Sequence, residues 1–143
     1  MKHKIYYPLI MSIVLFLTGC VADETVVVEV DTREKILNKW NILVIDEIDP
    51  SGQRYQSTIY KDAVEKNKIF ITNFHGLGGT DVFAYVSGKT ITLPEQTTAK
   101  NKVVGTGIIS STYTEINWNY TVDEGNGPMV ATAVFKSDLP VKK

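Results

Sequence analysis

The sequence predicts an all-β domain of about eight antiparallel strands. From Trp40 onward, apolar residues alternate with polar ones or form short β-branched blocks. Gly, Asn, Asp and Pro interrupt these blocks at fairly even spacing, a pattern typical of the turns in all-β proteins. The sequence contains no helical pattern longer than two turns after this point, which argues against a βαβ architecture.

The predicted strands follow from the alternating blocks and the turns between them. They lie near residues 39–48, 54–60, 68–74, 81–87, 89–93, 102–110, 112–122 and 129–136. Residues 49–52 (Asp-Pro-Ser-Gly) supply a type I or II turn, residues 87–88 a tight hairpin, and residues 123–127 a longer hairpin loop. All three turns favour antiparallel neighbours.

Two features of the strands indicate a curved sheet with one buried face. The alternation is clearest in the seventh strand, where one face carries Ile116, Trp118, Tyr120 and Val122 and the other carries polar residues. In the sixth strand, Gly105 and Gly107 fall on one face, where missing side chains let a sheet bend sharply or pack closely. We therefore expect a closed or strongly coiled sheet.

Composition limits the protein to one domain and argues against a polyanionic partner. The chain has 143 residues, with 15 basic residues against 16 acidic ones and a pI near 6.1. Because a basic excess is absent, we expect no nucleic-acid partner. A single Cys can form neither an internal disulfide nor a thiolate metal site, so the core must stabilise the fold by itself.

The first twenty residues have the layout of a lipoprotein signal peptide. A basic start at residues 2–4 precedes an apolar stretch over 6–17, which is shorter than the roughly 20 residues that span a bilayer. Residues 17–20 (Leu-Thr-Gly-Cys) match the lipobox, whose cysteine receives diacylglycerol before cleavage. We expect residues 1–19 to be removed and acyl chains on Cys20 to hold the protein in the bacterial cell envelope. The outer membrane is the expected location, on either its periplasmic or its surface side.

The remaining chain divides into three parts. Residues 20–34 are interpreted as the lipidated cysteine and a tether, residues 35–138 as the β domain, and residues 139–143 as a C-terminal tail. Asp31 or Thr32 is placed to cap a helix of one or two turns over residues 33–38. Ile36 and Leu37 of this helix are expected to dock on the domain.

Residues capable of catalysis or metal binding form no recognisable set. The glycine-rich segment 73–80 precedes a strand pattern, whereas a phosphate-binding loop needs a helix there, so it is interpreted as a connection between strands. His75 lies in this turn and is expected to be exposed, and no Ser occupies a nucleophile elbow. The acids at 46–49 and 123–124 complete no EF-hand loop and are expected to be solvated. We predict no enzymatic activity, no cofactor and no metal.

Aromatic residues occur in most strands, and most are expected in the core. The candidate interior lining is Trp40, Ile42, Val44, Phe70, Val82, Ala84, Trp118 and Tyr120. If several of Tyr60, Phe83, Tyr85 and Tyr113 share a solvent face or the barrel mouth, they could form a stacking platform for a sugar or an apolar ligand. The candidate ligand-binding residues are Trp40, Phe70, Tyr85, Trp118 and Tyr120.

Several short motifs carry a resemblance to a known group. They are the lipobox, Leu37–Trp40, residues 71–74 before a glycine turn, residues 86–94 with Gln96, residues 105–107, residues 119–123 and a last strand reaching Phe135. In this pattern the domain resembles the small lipocalin-like lipoproteins of diderm bacteria. The resemblance implies an antiparallel up-and-down barrel or half-barrel, and it implies no catalytic residues.

These observations predict a non-catalytic, membrane-anchored lipoprotein. Its β-barrel is expected to bind a small apolar or glycan ligand in the interior or at the mouth, because an eight-stranded barrel has room for side chains or one small ligand. The alternative is a structural or inhibitory subunit of a cell-envelope protein complex. In that case the turns around residues 75–80 and 123–127 would contact the partner protein.

Overall fold

Eight antiparallel strands close into a barrel. The structure, a computed structural model, describes residues 31–137. The strands are β1 (Asn38–Asp46), β2 (Gln53–Lys61), β3 (Lys68–Ile71), β4 (Val82–Ser87), β5 (Thr90–Thr98), β6 (Asn101–Ile109), β7 (Glu115–Asp123) and β8 (Pro128–Ser137). Each strand pairs with the next, and β8 pairs with β1. The predicted all-β fold is confirmed, as a closed up-and-down barrel rather than a half-barrel.

The predicted signal peptide (1–19), Cys20 and the C-terminal tail (139–143) lie outside the described residues. Within 31–137, no helix is long and apolar enough to cross a membrane. Residues 31–34, which the sequence placed in the tether, pack against the barrel.

A short 3-10 helix, Thr32–Lys35, precedes β1. The Asp31 side chain caps it by accepting a hydrogen bond from the Arg33 backbone N–H at 3.0 Å. The buried Arg33 guanidinium donates to the carbonyl oxygens of Glu65 and Lys68 at 2.8 and 3.2 Å, and so ties the helix to the β2–β3 connection. Ile36 is fully buried and Leu37 packs against the core, as predicted. The helix is shorter than the predicted 33–38 because β1 begins at Asn38.

Three strand boundaries differ from the prediction by three residues or more. β3 ends at Ile71 instead of residue 74, because Asn73 adopts a left-handed φ of 48° and a 3-10 helix, Phe74–Gly76, follows. β5 continues to Thr98 instead of ending at residue 93, because an irregularity in register between Leu93 and Gln96 accommodates Pro94 within the strand. β7 begins at Glu115 instead of residue 112.

The barrel interior is filled by side chains from all eight strands. Trp40, Trp118 and Phe135 are the largest of the fully buried residues. In the β6–β7 register Gly105 lies opposite Tyr120 and Gly107 opposite Trp118. A Cβ on Gly107 would come within 2.9 Å of two indole carbons, so the absence of a side chain lets the Trp118 ring lie directly on β6. The close packing predicted from the two glycines is confirmed.

Candidate functional site

Four aromatic side chains form a continuous patch on the outside of β2, β3 and β4. We call this patch the aromatic face; its members are Tyr60, Phe70, Phe83 and Tyr85. The strand register places Tyr60 opposite Phe70 and Phe70 opposite Phe83. Their chain neighbours Ile59, Ile69, Ile71, Val82, Ala84 and Val86 point into the core, so the alternation of β-strands directs the rings outward.

The rings of the aromatic face pack against one another. Tyr60 and Phe70 are stacked, with ring centroids 5.2 Å apart and 20° between their planes. Phe83 and Tyr85 meet edge to face at 5.9 Å. Tyr60 keeps 41% of its surface exposed, and the other three rings are half-buried. The patch is therefore fixed in place by ring contacts and remains open to solvent.

Lys68 brings a positive charge into the aromatic face. Its ammonium lies 5.4 Å from the centroid of Phe70 and 5.1 Å from that of Phe83, within the range of a cation–π interaction. The ammonium also donates to a Glu65 carboxylate oxygen at 2.8 Å and lies 4.0 Å from Asp62. The hydrogen bond to Glu65 raises the pKa of Lys68, so the lysine stays charged.

Asp81 adds an acceptor at the opposite edge of the face. The Tyr60 hydroxyl donates to an Asp81 carboxylate oxygen at 2.6 Å. This bond to a carboxylate, with some desolvation, raises the pKa of Tyr60 to about 12, so the phenol remains protonated. The Tyr60 ring is consequently held in one orientation, with a carboxylate beside its polar end.

Gln96 holds the backbone beneath Phe83. In the β4–β5 ladder, only Tyr85–Ser87 of β4 pair with residues of β5. The Gln96 amide completes the sheet beyond that point: its Oε1 accepts from the Phe83 N–H at 2.9 Å and its Nε2 donates to the Phe83 carbonyl at 2.7 Å. One side chain thereby takes the place of a neighbouring strand, and Phe83 keeps its outward direction.

The interior candidates lie in the core rather than at an open cavity. Trp40 is fully buried and donates its indole N–H to the Ile36 carbonyl at 3.1 Å. Trp118 packs against Phe74 and Phe135 with centroids 5.3 and 5.6 Å away. The assignment of Phe70 to the interior lining was wrong: Ile69 and Ile71 occupy the inward positions of β3, so Phe70 must point outward.

The glycine-rich connection between β3 and β4 closes one end of the barrel. It leads directly into strand β4, whereas a phosphate-binding loop would lead into a helix. Here the prediction of an exposed His75 was wrong, since it is only 8% exposed. Its Nδ1 is hydrogen-bonded to the Tyr120 hydroxyl at 2.5 Å, and its Nε2 lies 4.0 Å from Glu124. Burial lowers the pKa of His75, against the opposing fields of Asp46 and Glu124. A 50 Å³ cavity at this end borders Val122, Glu124 and Met129, which is room for little more than water.

The acidic turns have structural roles. Asp46, expected to be solvated, is nearly buried, and its Oδ1 accepts from the backbone N–H groups of Ile48 and Asp49 at 2.8 and 2.7 Å. Asp123 likewise accepts from the N–H groups of Gly125 and Gly127. In residues 31–137, no group of three or more His, Cys, Asp or Glu side chains is arranged to hold a metal.

The structure divides the predicted ligand-binding residues between two places. Phe70 and Tyr85 belong to the aromatic face, whereas Trp40, Trp118 and Tyr120 lie in the core. Of the platform candidates, Tyr60, Phe83 and Tyr85 do share a solvent face. Tyr113 does not, because it lies in the β6–β7 turn beside Lys35 and Lys89. The sequence analysis did not assign Lys68, Asp81 and Gln96 to a site. Lys68 could have been found, because it lies two residues before Phe70 on β3 and therefore shares its face.

Comparison with known proteins supports the architecture alone. No protein-family model matches the chain, and no curated protein sequence matches it. Among solved structures, a redesigned β-barrel is similar, with a TM-score of 0.54 and 12% identity over 76% of this chain and 96% of that one. At this level of identity the likeness shows a shared barrel fold.

Proposed function

We propose that this protein is a non-catalytic lipoprotein, anchored in the bacterial cell envelope through acyl chains on Cys20, whose barrel binds a glycan on the aromatic face. The observation that carries the proposal is the set of four adjoining outward rings, with an ion-paired lysine between two of them and a carboxylate at one edge.

The chemistry of the face suits a sugar. Aromatic rings offer an apolar surface to the C–H groups of a pyranose, while the hydroxyl groups of the sugar need fixed donors and acceptors nearby. Lys68 supplies donors, and Asp81 and Glu65 supply acceptors at the margins of the rings. Because ring contacts and hydrogen bonds already fix these side chains, ordering them on binding costs little conformational entropy.

The shape of the face favours an extended glycan over a small apolar molecule. Pockets for small molecules bury about 70–90% of the ligand surface. An outer barrel wall with half-buried rings covers a ligand from one side only. Neighbouring sugar units of a glycan chain can contact Tyr60 and Tyr85 separately, so the total contact area increases with the length of the glycan.

The interior is a poorer location for the ligand. A molecule entering it would have to displace buried rings such as Phe74, Trp118 and Phe135, which contact one another. Removing one buried aromatic side chain from a core costs about 3–5 kcal/mol. The outer face carries no such cost.

The anchor would concentrate the barrel among envelope glycans. Two or three acyl chains contribute roughly 0.8 kcal/mol per buried CH₂, which is enough for stable attachment. Replacing Cys20→Ala should abolish incorporation of labelled palmitate and release the protein from membranes. Continued labelling of C20A would refute the anchor assignment.

Glycan binding is tested with the acylated full chain in detergent. It is applied to an array of bacterial surface polysaccharides, and the glycans that bind are titrated by calorimetry. The Y60A/Y85A variant should bind at least about tenfold more weakly, equivalent to about 1.4 kcal/mol. Tyr113→Ala, which removes a half-buried tyrosine away from the face, is the matched control and should bind as the wild type does. Absence of binding to every glycan, or equal binding by Y60A/Y85A, would refute the proposal.

A further inference from the structure

The two ends of the barrel differ in charge. One end carries the 3-10 helix Thr32–Lys35 and the β2–β3, β4–β5 and β6–β7 connections; we call it the basic end. Counting connections and the last two residues of each strand, the basic end has eight basic and five acidic residues. The other end carries the β1–β2, β3–β4, β5–β6 and β7–β8 connections; we call it the acidic end, because it has three basic and six acidic residues.

Ion pairs occupy four of the five carboxylates of the basic end and leave its net charge unchanged. Asp31 is paired with Arg33 at 2.7 Å, Glu34 with Lys61, and Asp62 and Glu65 both with Lys68. Within the described chain, no carboxylate pairs with the ammonium groups of Lys35, Lys66 and Lys89. Lys35 and Lys66 are exposed, so their charges are available to an anionic partner.

Apolar and concave features accompany these lysines. Val64 is 87% exposed at the tip of the β2–β3 connection. Tyr113 lies under Lys35, whose ammonium is 4.5 Å from the ring centroid. A cavity of about 540 Å³ opens between the 3-10 helix and the β4–β5 turn, and Arg33, Lys66, Asn67 and Ser87 are among its lining residues. Lysines around an exposed apolar tip and an aromatic ring are typical of surfaces that contact lipid headgroups.

The chain itself brings this end to the bilayer. Asp31, the first described residue, lies at the basic end, eleven residues after Cys20. A fully extended chain of that length spans at most about 40 Å. If Cys20 is acylated, as proposed above, the anchor joins the barrel at the basic end. A tether of this reach lets that end contact the bilayer without by itself fixing the orientation of the barrel.

We propose that the basic end is a membrane-docking surface for anionic phospholipid headgroups. The exposed Lys35 and Lys66 attract the headgroups, and Val64 and Tyr113 enter the interfacial layer. This proposal rests on the proposed lipid anchor for its tether, but it concerns a different surface and different residues. Docking gives the barrel one orientation, with the acidic end directed away from the bilayer.

The orientation is tested by labelling opposite ends of the acylated full chain. The matched pair is Val64→Cys at the basic end and Ile48→Cys at the acidic end, where Ile48 is 79% exposed. Each variant carries an environment-sensitive fluorophore and is reconstituted in vesicles of equal parts phosphatidylcholine and phosphatidylglycerol. A headgroup-attached nitroxide lipid then quenches labels near the surface. We expect several-fold stronger quenching for V64C than for I48C.

Charge variants separate specific docking from the effect of the tether. K35E/K66E should abolish the difference between the labels, whereas K100E/K102E, with the same change in net charge at the acidic end, should retain it. Pure phosphatidylcholine, or salt near 1 M with its screening length of about 3 Å, should also abolish it. Equal quenching at both sites, or equal effects of the two charge variants, would overturn the proposal.

Failure of the anchor would be seen separately. A chain recovered without palmitate would refute the lipidation proposal. The same labelled variants, added to vesicles from solution, would still measure the affinity of the basic end for anionic lipid. If labelled V64C binds anionic vesicles, and adding K35E/K66E weakens that binding about tenfold, the docking surface is supported. If V64C shows no preference for anionic vesicles, the docking surface is refuted.

Discussion

Replacing Gly107 with Ala tests the packing on which the barrel interior depends. Gly107 lies opposite Trp118, and the indole ring rests on its backbone. An added Cβ would be 2.9 Å from two indole carbons and 3.0 Å from a third. Trp118 is 1% exposed and is held by Phe74 and Phe135, so the ring has no free space into which to move.

The expected loss of stability follows from two opposing effects. Inserting a methyl group into a packed core costs about 1–3 kcal/mol. Because the φ of Gly107 lies outside the left-handed region, Ala fits the backbone there and recovers about 0.4–1 kcal/mol of unfolded-state entropy. The midpoints of these two ranges give a net loss of about 1.3 kcal/mol, which lowers the Tm of a domain of this size by roughly 5–10 °C.

Thermal unfolding followed by circular dichroism measures this loss. Thr106→Ala, an exposed neighbour on the same strand, is the control and should stay within about 0.5 kcal/mol of the wild type. Trp118→Phe provides a smaller ring and removes a buried indole N–H that has no hydrogen-bond partner among the described residues. The loss of unfolding free energy caused by Trp118→Phe should therefore be smaller in the G107A protein than in the wild type, by about 0.5 kcal/mol or more. An unchanged Tm for G107A, or strict additivity in the double variant, would refute the steric argument.

Two further predictions concern His75 and Gln96. The lowered pKa of His75 means that the unfolded chain binds this proton more readily, so the unfolding free energy should fall as pH decreases through 6.5 toward the lower folded pKa. His75→Asn, which tolerates the φ of 57°, should flatten that dependence, and an unchanged pH profile would contradict the assignment. Gln96→Leu leaves the Phe83 N–H and carbonyl without partners and should cost about 1–3 kcal/mol in urea unfolding, whereas Thr97→Ala on the exposed side should cost little.

Much of the barrel could be predicted because its strands alternate cleanly. In β7, Ile116 to Val122 place every second residue in the core, and turns with Gly, Asn and Asp mark the hairpins. The pair Gly105 and Gly107 also indicated close packing, although the sequence could not name the partners. That information depends on the β6–β7 register, which pairs Gly105 with Tyr120 and Gly107 with Trp118, residues that are 15 and 11 positions apart.

The wrong boundaries arose where tertiary contacts override local signals. Pro94 normally ends a strand, yet β5 passes through it because its register shifts at that point and the Gln96 side chain bonds to β4. Residues 72–74 have strand-like composition, but Phe74 turns inward to pack on Trp118 and Tyr120 instead of extending β3. The left-handed Asn73 and the inward packing of Phe74 together end this strand.

The candidate site shows where periodicity alone gives no answer. Ile69, Phe70 and Ile71 are all apolar. Strand alternation places Phe70 on one face of the sheet and the two isoleucines on the other, but it does not show which face is buried. The neighbouring strand resolves it: Phe83 alternates with Val82 and Ala84, which are both fully buried, so Phe83 lies on the outer face. Since Phe70 pairs with Phe83, it must share the outward direction. The aromatic face is thus a property of the register between β3 and β4, and the assignment of Phe70 required that register.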